Sequence, residues 1–262
     1  MVNLLLERVA FSIFGLEVYW YGLIITSAIV LDFVLLMLLC KKFNYDQDLP
    51  FDLIIFAVLF GIVCARLFSV LFDEGASLKD YFAFRDGGMS IIGALIGGVC
   101  GIGLYCLLKK KNFFEITDCL APLVLLAQGI GRWGNYFNNE VYGQQVLNES
   151  LQWFPYAVKI GTNYYQALFF YESVLNILGF AVLIILLFKF RHKRGLSTAL
   201  YLMYYGTVRF FLEQLRQPKY ILRLAGLPIS QILSGMMFLS GLAILIFIII
   251  NDYKSKKKVM GK

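Results

Sequence analysis

The sequence predicts an all-α membrane protein with seven transmembrane helices. Of its 262 residues, 60% are hydrophobic and only 16% are charged, whereas an average soluble domain is about 45–50% apolar and about 25% charged. Seven apolar runs approach the roughly 20 residues that a helix needs to cross a bilayer. The composition therefore argues against a soluble enzyme and against a disordered chain.

The predicted elements follow one another as a single membrane domain over residues 1–262. Residues 1–18 hold Glu7 and Arg8 within their first apolar stretch and lack a cationic start, so they predict an amphipathic segment at the membrane interface rather than a signal peptide. The fourth and sixth of the seven runs are short or carry polar residues. The predicted spans are 21–40, 49–72, 89–108, 113–130, 169–190, 196–212 and 229–250.

The distribution of lysine and arginine predicts the orientation of these spans. Fourteen of the 24 cationic residues follow spans one, three, five and seven. Because cationic loops stay in the cytoplasm, the N-terminus is expected outside and the C-terminus, with a basic tail at 251–262, in the cytoplasm. The long non-apolar stretch 132–165, between spans four and five, is then expected on the outer side.

The net charge and the cysteine content limit which binding partners and metal sites are expected. The net charge of +7 is better explained by anchoring on an anionic leaflet than by nucleic acid, which we do not expect to bind. The five cysteines lie in or beside apolar runs and form no CxxC pair, and His192 is the only histidine. We therefore predict no metal site, no cofactor and no disulfide.

A first candidate site follows span four, where Arg132 lies in a glycine-rich stretch. Asn135, Asn138 and Glu140 come within the next eight residues. A cation, two amides and a carboxylate packed this closely at membrane depth need partners, which favours a functional site. The alternative is a glycine-rich helix end with interfacial polar residues.

A second candidate site lies in span six. Arg209 and Glu213 are four residues apart and so share a helix face, and Arg216 lies close to the same face. The alternative is a structural arginine–glutamate pair. The functional alternative is that Arg132 and Arg209 converge on one phosphate, because the planar guanidinium fork binds two oxygens at once.

The stretch from 131 to 143 resembles the signature of bacterial prolipoprotein diacylglyceryl transferases. Further similar stretches, Trp20-Tyr21-Gly22, Gly87-Gly88-Met89-Ser90, Tyr171-Glu172-Ser173, 205–216 and 230–234, occur in the family's order, so the resemblance covers nearly the whole chain. The matching positions of the signature are Gly131, Arg132, Gly134, Asn135, Asn138, Glu140 and Gly143.

The family transfers the diacylglyceryl group of phosphatidylglycerol to the lipobox cysteine of preprolipoproteins and releases glycerol phosphate. The resemblance implies that Arg132 and Arg209 hold the phosphate, that Tyr21 lies at the lipid and that Glu213 orients Arg209. Glu172 would stand behind these residues. The residues that the resemblance assigns to substrate binding are Gly134, Asn135, Asn138, Glu140, Gly143, Tyr205, Glu213 and Arg216.

Two positions depart from the family pattern. Ile92 stands where the family usually has the histidine proposed to activate the thiol, and Gln166-Ala167 stands where a His-Pro pair is usual. His192 is expected on the cytoplasmic side and cannot replace either. Glu140 or Tyr21 would then be the candidate proton acceptor.

The resemblance implies a transferase of the bacterial plasma membrane. Its expected partners are phosphatidylglycerol, preprolipoprotein signal peptides and membrane lipids, and it is expected to be a monomer. Two alternatives remain open. One is a non-catalytic or altered-acceptor paralogue that still binds phospholipid, because the phosphate-binding residues are kept while the histidines are lost. The other, more remote, is a transporter, since buried arginine and glutamate also mark ion paths.

Overall fold

The structure, a computed structural model, describes residues 8–260 except 14, 72–89, 222 and 225. The prediction of an all-α protein with seven helices is confirmed for these residues, which add short antiparallel hairpins and two 3-10 turns, Glu149–Leu151 and Pro218–Tyr220. The hairpins are β1–β2 (Val9–Ile13, Leu16–Tyr19), β3–β4 (Ala157–Ile160, Asn163–Gln166) and β5–β6 (Arg223–Leu224, Leu227–Pro228). The helices are α1 (Trp20–Phe43), α2 (Leu49–Leu71), α3 (Ile91–Leu108), α4 (Phe113–Phe137), α5 (Leu168–Lys189), α6 (Leu196–Gln214) and α7 (Ile229–Met260).

Five of these helices are long and apolar enough to cross a membrane. They are α1, α2, α4, α5 and α7. In the described part of the chain, α3 is apolar but shorter, and α6 is not among the five. The protein is therefore membrane-embedded. Residues 87–89, which belong to the Gly87-Gly88-Met89-Ser90 stretch of the resemblance, lie outside the described residues, as do 1–7 and 261–262.

The largest differences from the predicted bounds are at α7 and α4. Helix α7 continues to Met260, so most of the predicted basic tail 251–262 is helical. Helix α4 continues to Phe137, so the first six residues of the predicted outer segment 132–165 are helical. It continues because its glycines are packing surfaces: Gly131 faces Ile25, and a Cβ at Gly134 would lie 2.6 Å from the ring of Tyr21. The described part of segment 1–18 forms the β1–β2 hairpin.

The chain divides into two compact units, and the smaller is Leu36–Ile116. Within it α2 and α3 approach backbone to backbone through Gly93, Gly97 and Gly101, which recur every four residues. A Cβ at any of the three would overlap a carbonyl oxygen of α2. This is the small-residue packing by which helices associate in lipid.

The larger unit comprises Met1–Leu35 and Thr117–Lys262. Within it Asp118 of α4 caps the first turn of α6, since its carboxylate oxygens accept hydrogen bonds from Gly195 N at 2.6 Å and Thr198 N at 2.8 Å. The ring of Tyr204 on α6 fills the space left by Gly179 on α5. These contacts fix α4 and α5 against α6. Arg132 and Arg209 lie further along α4 and α6, towards the C-terminal ends of those two helices.

Candidate functional site

Charged side chains from α4, α5 and α6 meet in the interior of the larger unit. Arg132 Nη2 lies 2.5 Å from Glu172 Oε1. The other oxygen of Glu172 lies 3.3 Å from Arg209 Nη1, while Arg209 Nη2 lies 2.9 Å from Glu213 Oε2. Each carboxylate is only 1% exposed. One glutamate therefore joins two arginines from two helices, and a second glutamate holds one of them from its own helix.

Arg216, just beyond α6, extends this group. Its Nη1 lies 3.5 Å from Glu213 Oε2. We call Arg132, Glu172, Arg209, Glu213 and Arg216 the charge cluster; three cations and two anions give it a formal charge of +1. Burial and the nearby charge of Arg209 lower the pKa of the Arg216 guanidinium. Because arginine stays charged in proteins, this largely buried cation depends on Glu213 as its anionic partner.

Glu172 lies at the centre of the charge cluster, whereas the sequence resemblance placed it behind the arginines. It is the only acidic residue of the predicted fifth span. A lone carboxylate inside an apolar span is itself an indication of function, so its position could have been anticipated. The spacing within α6 could not reveal it, because the contact to Arg132 joins two helices distant in sequence.

A polar stack supports Arg132 from α6. The hydroxyl of Tyr205 lies within hydrogen-bonding reach of Arg132, and its ring stacks on that of Tyr201 with centroids 5.9 Å apart. Gln128 Nε2 in turn donates to the Tyr201 hydroxyl at 3.1 Å. Of these three residues, the sequence predicts only Tyr205, and Gln128 and Tyr201 come from the structure. Both lie four residues before a named residue and so on the same helix face.

Tyr21 lies beside this part of α4. Its ring packs on Gly134, where a Cβ would lie 2.6 Å from Tyr21 Cδ2. The neighbouring Trp20 stacks on Phe137, with ring centroids 5.1 Å apart. The start of α1 is thereby fixed against the last turns of α4, close to Arg132 in sequence.

The loop after α4 holds other predicted residues. Asn138 Nδ2 donates to Glu140 Oε1 at 3.3 Å, and Asn135 O accepts from Glu140 N at 3.0 Å. Burial raises the pKa of the Tyr142 hydroxyl, and nearby Tyr220 and Glu140 raise it further. The contacts described for Asn135, Asn138 and Glu140 thus lie within the last turn of α4 and the loop after it rather than with the charge cluster.

Gly143 joins this loop to β4 and to the segment after α6. Its N–H donates to Gln166 O at 3.1 Å, and its carbonyl oxygen accepts from Gln217 Nε2 at 3.0 Å. It also forms an isolated antiparallel bridge with Arg216. A Cβ at Gly143 would lie 2.7 Å from Gln166 Cβ, so only glycine fits here without movement.

The only histidine of the sequence lies far from the charge cluster. His192 follows α5, about 20 residues after Glu172 and about 17 before Arg209. At about 1.5 Å per helical residue, this places it roughly 25 Å away. The imidazole therefore cannot exchange a proton with a group held by these arginines.

A net cationic cluster of guanidinium groups is suited to an anionic, tetrahedral group. Arginine binds phosphate oxygens in pairs, and each such charge-assisted hydrogen bond is about twice as strong as a neutral one. Because the glutamates are held by the same arginines, the guanidinium planes are already oriented. The arrangement can bind a phosphate ester and stabilise negative charge that develops on it.

Known proteins share this sequence over nearly its whole length. The sequence model of a family described as prolipoprotein diacylglyceryl transferase matches residues 8–247. A phosphatidylglycerol–prolipoprotein diacylglyceryl transferase of Clostridium novyi is 39% identical over 259 residues, covering 96% of this chain and 98% of the relative. Proteins of the same activity name from Clostridium perfringens and Pediococcus pentosaceus are 35% and 37% identical and cover 97% and 92% of this chain, with 99% and 90% of their own lengths.

Proposed function

The chain belongs to the prolipoprotein diacylglyceryl transferase family, and from this premise we propose how it transfers the diacylglyceryl group of phosphatidylglycerol to the cysteine thiol of prolipoproteins. The observation that carries the proposal is the buried charge cluster, with its formal charge of +1. A phosphodiester carries one negative charge, so the cluster matches the phosphate of a phospholipid. The expected setting is a bacterial plasma membrane, with seven spans, the N-terminus outside and the C-terminus in the cytoplasm.

The reaction replaces a carbon–oxygen bond by a carbon–sulfur bond. The cysteine sulfur attacks the diacylglyceryl carbon that carries the phosphate, and glycerol phosphate leaves with the bonding electron pair. The thiol proton is released, while the leaving group gains a second negative charge. Arginine donors already aimed at the phosphate stabilise that charge as it develops.

The proposed roles follow the contacts. Arg132 and Arg209 bind the phosphate oxygens, with Glu172 holding their planes between the two helices. Glu213 orients Arg209 and Tyr205 supports Arg132. The remaining proposed substrate contacts are Tyr21 with Gly134 at the lipid, Asn135, Asn138, Glu140 and Gly143 at the head group, and Arg216 beside the phosphate.

The test is a transfer assay on the purified protein in detergent. Phosphatidylglycerol and a lipobox peptide are supplied, and the peptide mass and the released glycerol phosphate are followed. A mass gain of one diacylglyceryl group with equimolar glycerol phosphate supports the proposal. Phospholipid binding without a mass gain would instead favour the second candidate, a paralogue that no longer modifies this acceptor. The observation that favours it is the absence of histidine at positions 92 and 166. We expect the active protein to be a monomer without nucleic acid or a cofactor.

The pH dependence of transfer tests how the thiol is activated. With Ile92 at the family's histidine position and His192 remote, the rate should rise with pH up to about 8.5, the ordinary pKa of a thiol. Ile92→His should raise the rate near pH 7 and add an inflection near about 6.5, because general base catalysis is worth about 10²–10⁴-fold. An inflection near that value in the unmodified protein would contradict activation without imidazole.

A further inference from the structure

Three large apolar side chains are exposed on the chain segment between Gly143 and β3. Leu147, Trp153 and Phe154 are 80%, 56% and 54% exposed. They flank the polar turn 148–150, whose residues are exposed as well. We call Leu147, Trp153 and Phe154 the apolar loop patch. In water its surface would stay hydrated at a cost in free energy that grows with the apolar area.

Hydrogen bonds fix the backbone that carries the apolar loop patch. Gln152 Nε2 donates to Val146 O at 3.0 Å, so the residues that precede Trp153 and Leu147 are tied to each other across the turn. Trp153 O in turn accepts from Ala157 N at 2.8 Å, which ties the segment to the first residue of β3. The patch is therefore held in place on both sides of the turn 148–150.

Phe154 connects the patch to α5. Its ring lies against that of Phe170 with centroids 4.9 Å apart, and Phe170 belongs to the first turn of α5. Tyr156 O, two residues after Phe154, accepts from Ala167 N at 3.1 Å, directly before the helix. Helix α5 is long and apolar enough to cross a membrane. The patch therefore lies at the level where a membrane-spanning helix begins.

An exposed apolar stripe of α5 continues from Phe170. Val174, Leu178 and Ile185 follow Phe170 at helical spacing, which puts them on one face, and all three are exposed. On a membrane-spanning helix such a face meets acyl chains. By packing on Phe170, Phe154 extends the stripe beyond the start of the helix. The partner that covers the stripe, membrane lipid, is therefore the one that the patch fits.

We propose that the apolar loop patch is immersed in the membrane interface of the leaflet at the N-terminal end of α5, where its partner is the lipid surface. Tryptophan suits this level, because its ring is apolar while its Nε1–H needs a polar partner. The turn 148–150, with the carboxylate of Glu149, stays in water. The proposal is independent of the proposed function, since it concerns a surface that holds no residue of the charge cluster.

The same contact sets the depth of the charge cluster. Glu172 follows Phe170 by two residues in α5, which is about 3 Å along the helix axis. With Trp153 and Phe154 at the interface, Glu172 lies near the boundary between the head groups and the acyl chains. The patch thus holds the charge cluster at a fixed level of the bilayer.

Quenching of tryptophan fluorescence tests this contact. The protein is reconstituted in bilayers of phosphatidylglycerol brominated either near the head group or near the chain end. The chain has three tryptophans, so the emission of Trp153 is the difference between the unmodified protein and Trp153→Phe, which keeps an aromatic ring. We expect bromine near the head group to remove most of this emission, while bromine at the chain end and aqueous acrylamide leave most of it.

Thr162→Trp in the Trp153→Phe background is the matched control. Thr162 is exposed at the turn of the β3–β4 hairpin, and the four residues of β4 separate it from α5 by about 13 Å. Its emission should be quenched by aqueous acrylamide and not by brominated lipid. Equal quenching of both positions by lipid would mean that the whole loop lies in the interface and would overturn the particular role of the patch.

Three results for Trp153 overturn the proposal. Strong quenching by acrylamide and none by brominated lipid would show that the patch faces water. Emission that brominated lipid leaves unchanged but that a lipobox peptide shields from acrylamide would show that the patch docks a peptide instead. Stronger quenching from the chain end than from the head group would place the patch within the acyl layer, away from the interface.

Discussion

Ion pairs of similar length occupy opposite environments in the two units. In the larger unit, Arg132 and Glu172 approach to 2.5 Å with the carboxylate 1% exposed. In the smaller unit, Lys111 and Asp46 approach to 2.6 Å with the aspartate side chain 65% exposed. The same contrast extends to helix packing, because the smaller unit joins α2 and α3 by glycines whereas α4, α5 and α6 also meet through charge.

The contrast separates contacts made for stability from those made for function. A buried ion pair loses several kcal/mol of hydration per ion, roughly what its attraction returns, so replacing it by apolar residues is often neutral or stabilising. Two buried carboxylates and three largely buried arginines are thus a poor way to join three helices when glycine packing is available in the same chain. We therefore attribute these charges to the phosphate-bearing substrate of the proposed function.

The largest effect should come from breaking the buried ion pair between Arg132 and Glu172. Arg132→Ala leaves Glu172 with one cation, so we expect loss of transfer, by at least the 10²–10³-fold typical of one charge-stabilising donor, and lower stability as well. The transfer assay and a thermal unfolding scan measure the two effects.

Arg132→Lys is its control, because it keeps the charge and loses the planar fork. We expect near-normal unfolding with about 10²-fold slower transfer. Undiminished turnover in Arg132→Ala would remove Arg132 from the proposed site.

Gly134→Ala should have the next largest effect. Its Cβ would press on the Tyr21 ring at 2.6 Å, so Tyr21 must move away from α4. We expect transfer to fall by about tenfold or more, because small displacements of a positioned group are costly to the rate. Gly235→Ala is the control, since it meets nothing within 4 Å. Equal transfer rates of the two variants would show that transfer does not depend on the position of the Tyr21 ring.

The sequence predicts the existence of the helices better than it predicts where they end. Hydropathy predicts all seven helices, because a span is a local property of about 20 consecutive residues. It ends the fourth helix at 130 rather than Phe137, since glycine and polar residues replace the apolar run there. What continues that helix is non-local: Ile25 and Tyr21 pack on its glycines.

The sequence predicts which residues belong to the candidate site but not which of them contact one another. Arg209 and Glu213 can be paired from their spacing, and resemblance adds Arg132. That Glu172 joins both arginines, and that Gln128 reaches Tyr201, depends on how three helices pack. Helical spacing fixes which residues share a face but not which residue of another helix they meet.

In the smaller unit, α3 offers a neighbouring pair for a packing test. A Cβ at Gly97 would overlap the carbonyl of Phe60, whereas one at Gly98 comes no nearer than 4.0 Å to Ala57 O. Gly97→Ala should lower the unfolding free energy by about 1–3 kcal/mol through overpacking. Gly98→Ala should be neutral or stabilising by up to about 1 kcal/mol, from the higher helix propensity of alanine. Equal unfolding midpoints would show that α2 and α3 do not depend on close backbone approach.

The smallest effect is expected at the exposed ion pair. The hydrogen bond and charge of Lys111 lower the pKa of Asp46. A lowered aspartate pKa stabilises the folded state above the ordinary pKa of about 3.9 and loses that contribution as the pH falls through the folded value. Lys111→Ala should therefore raise the pKa of Asp46, which a titration followed by NMR measures. At pH 7 we expect no measurable shift in the unfolding midpoint, because many exposed pairs contribute nothing detectable to stability. A clear loss of stability at pH 7 that disappears in acid would show that exposed pairs also hold this protein together, and the contrast with the charge cluster would then be one of degree.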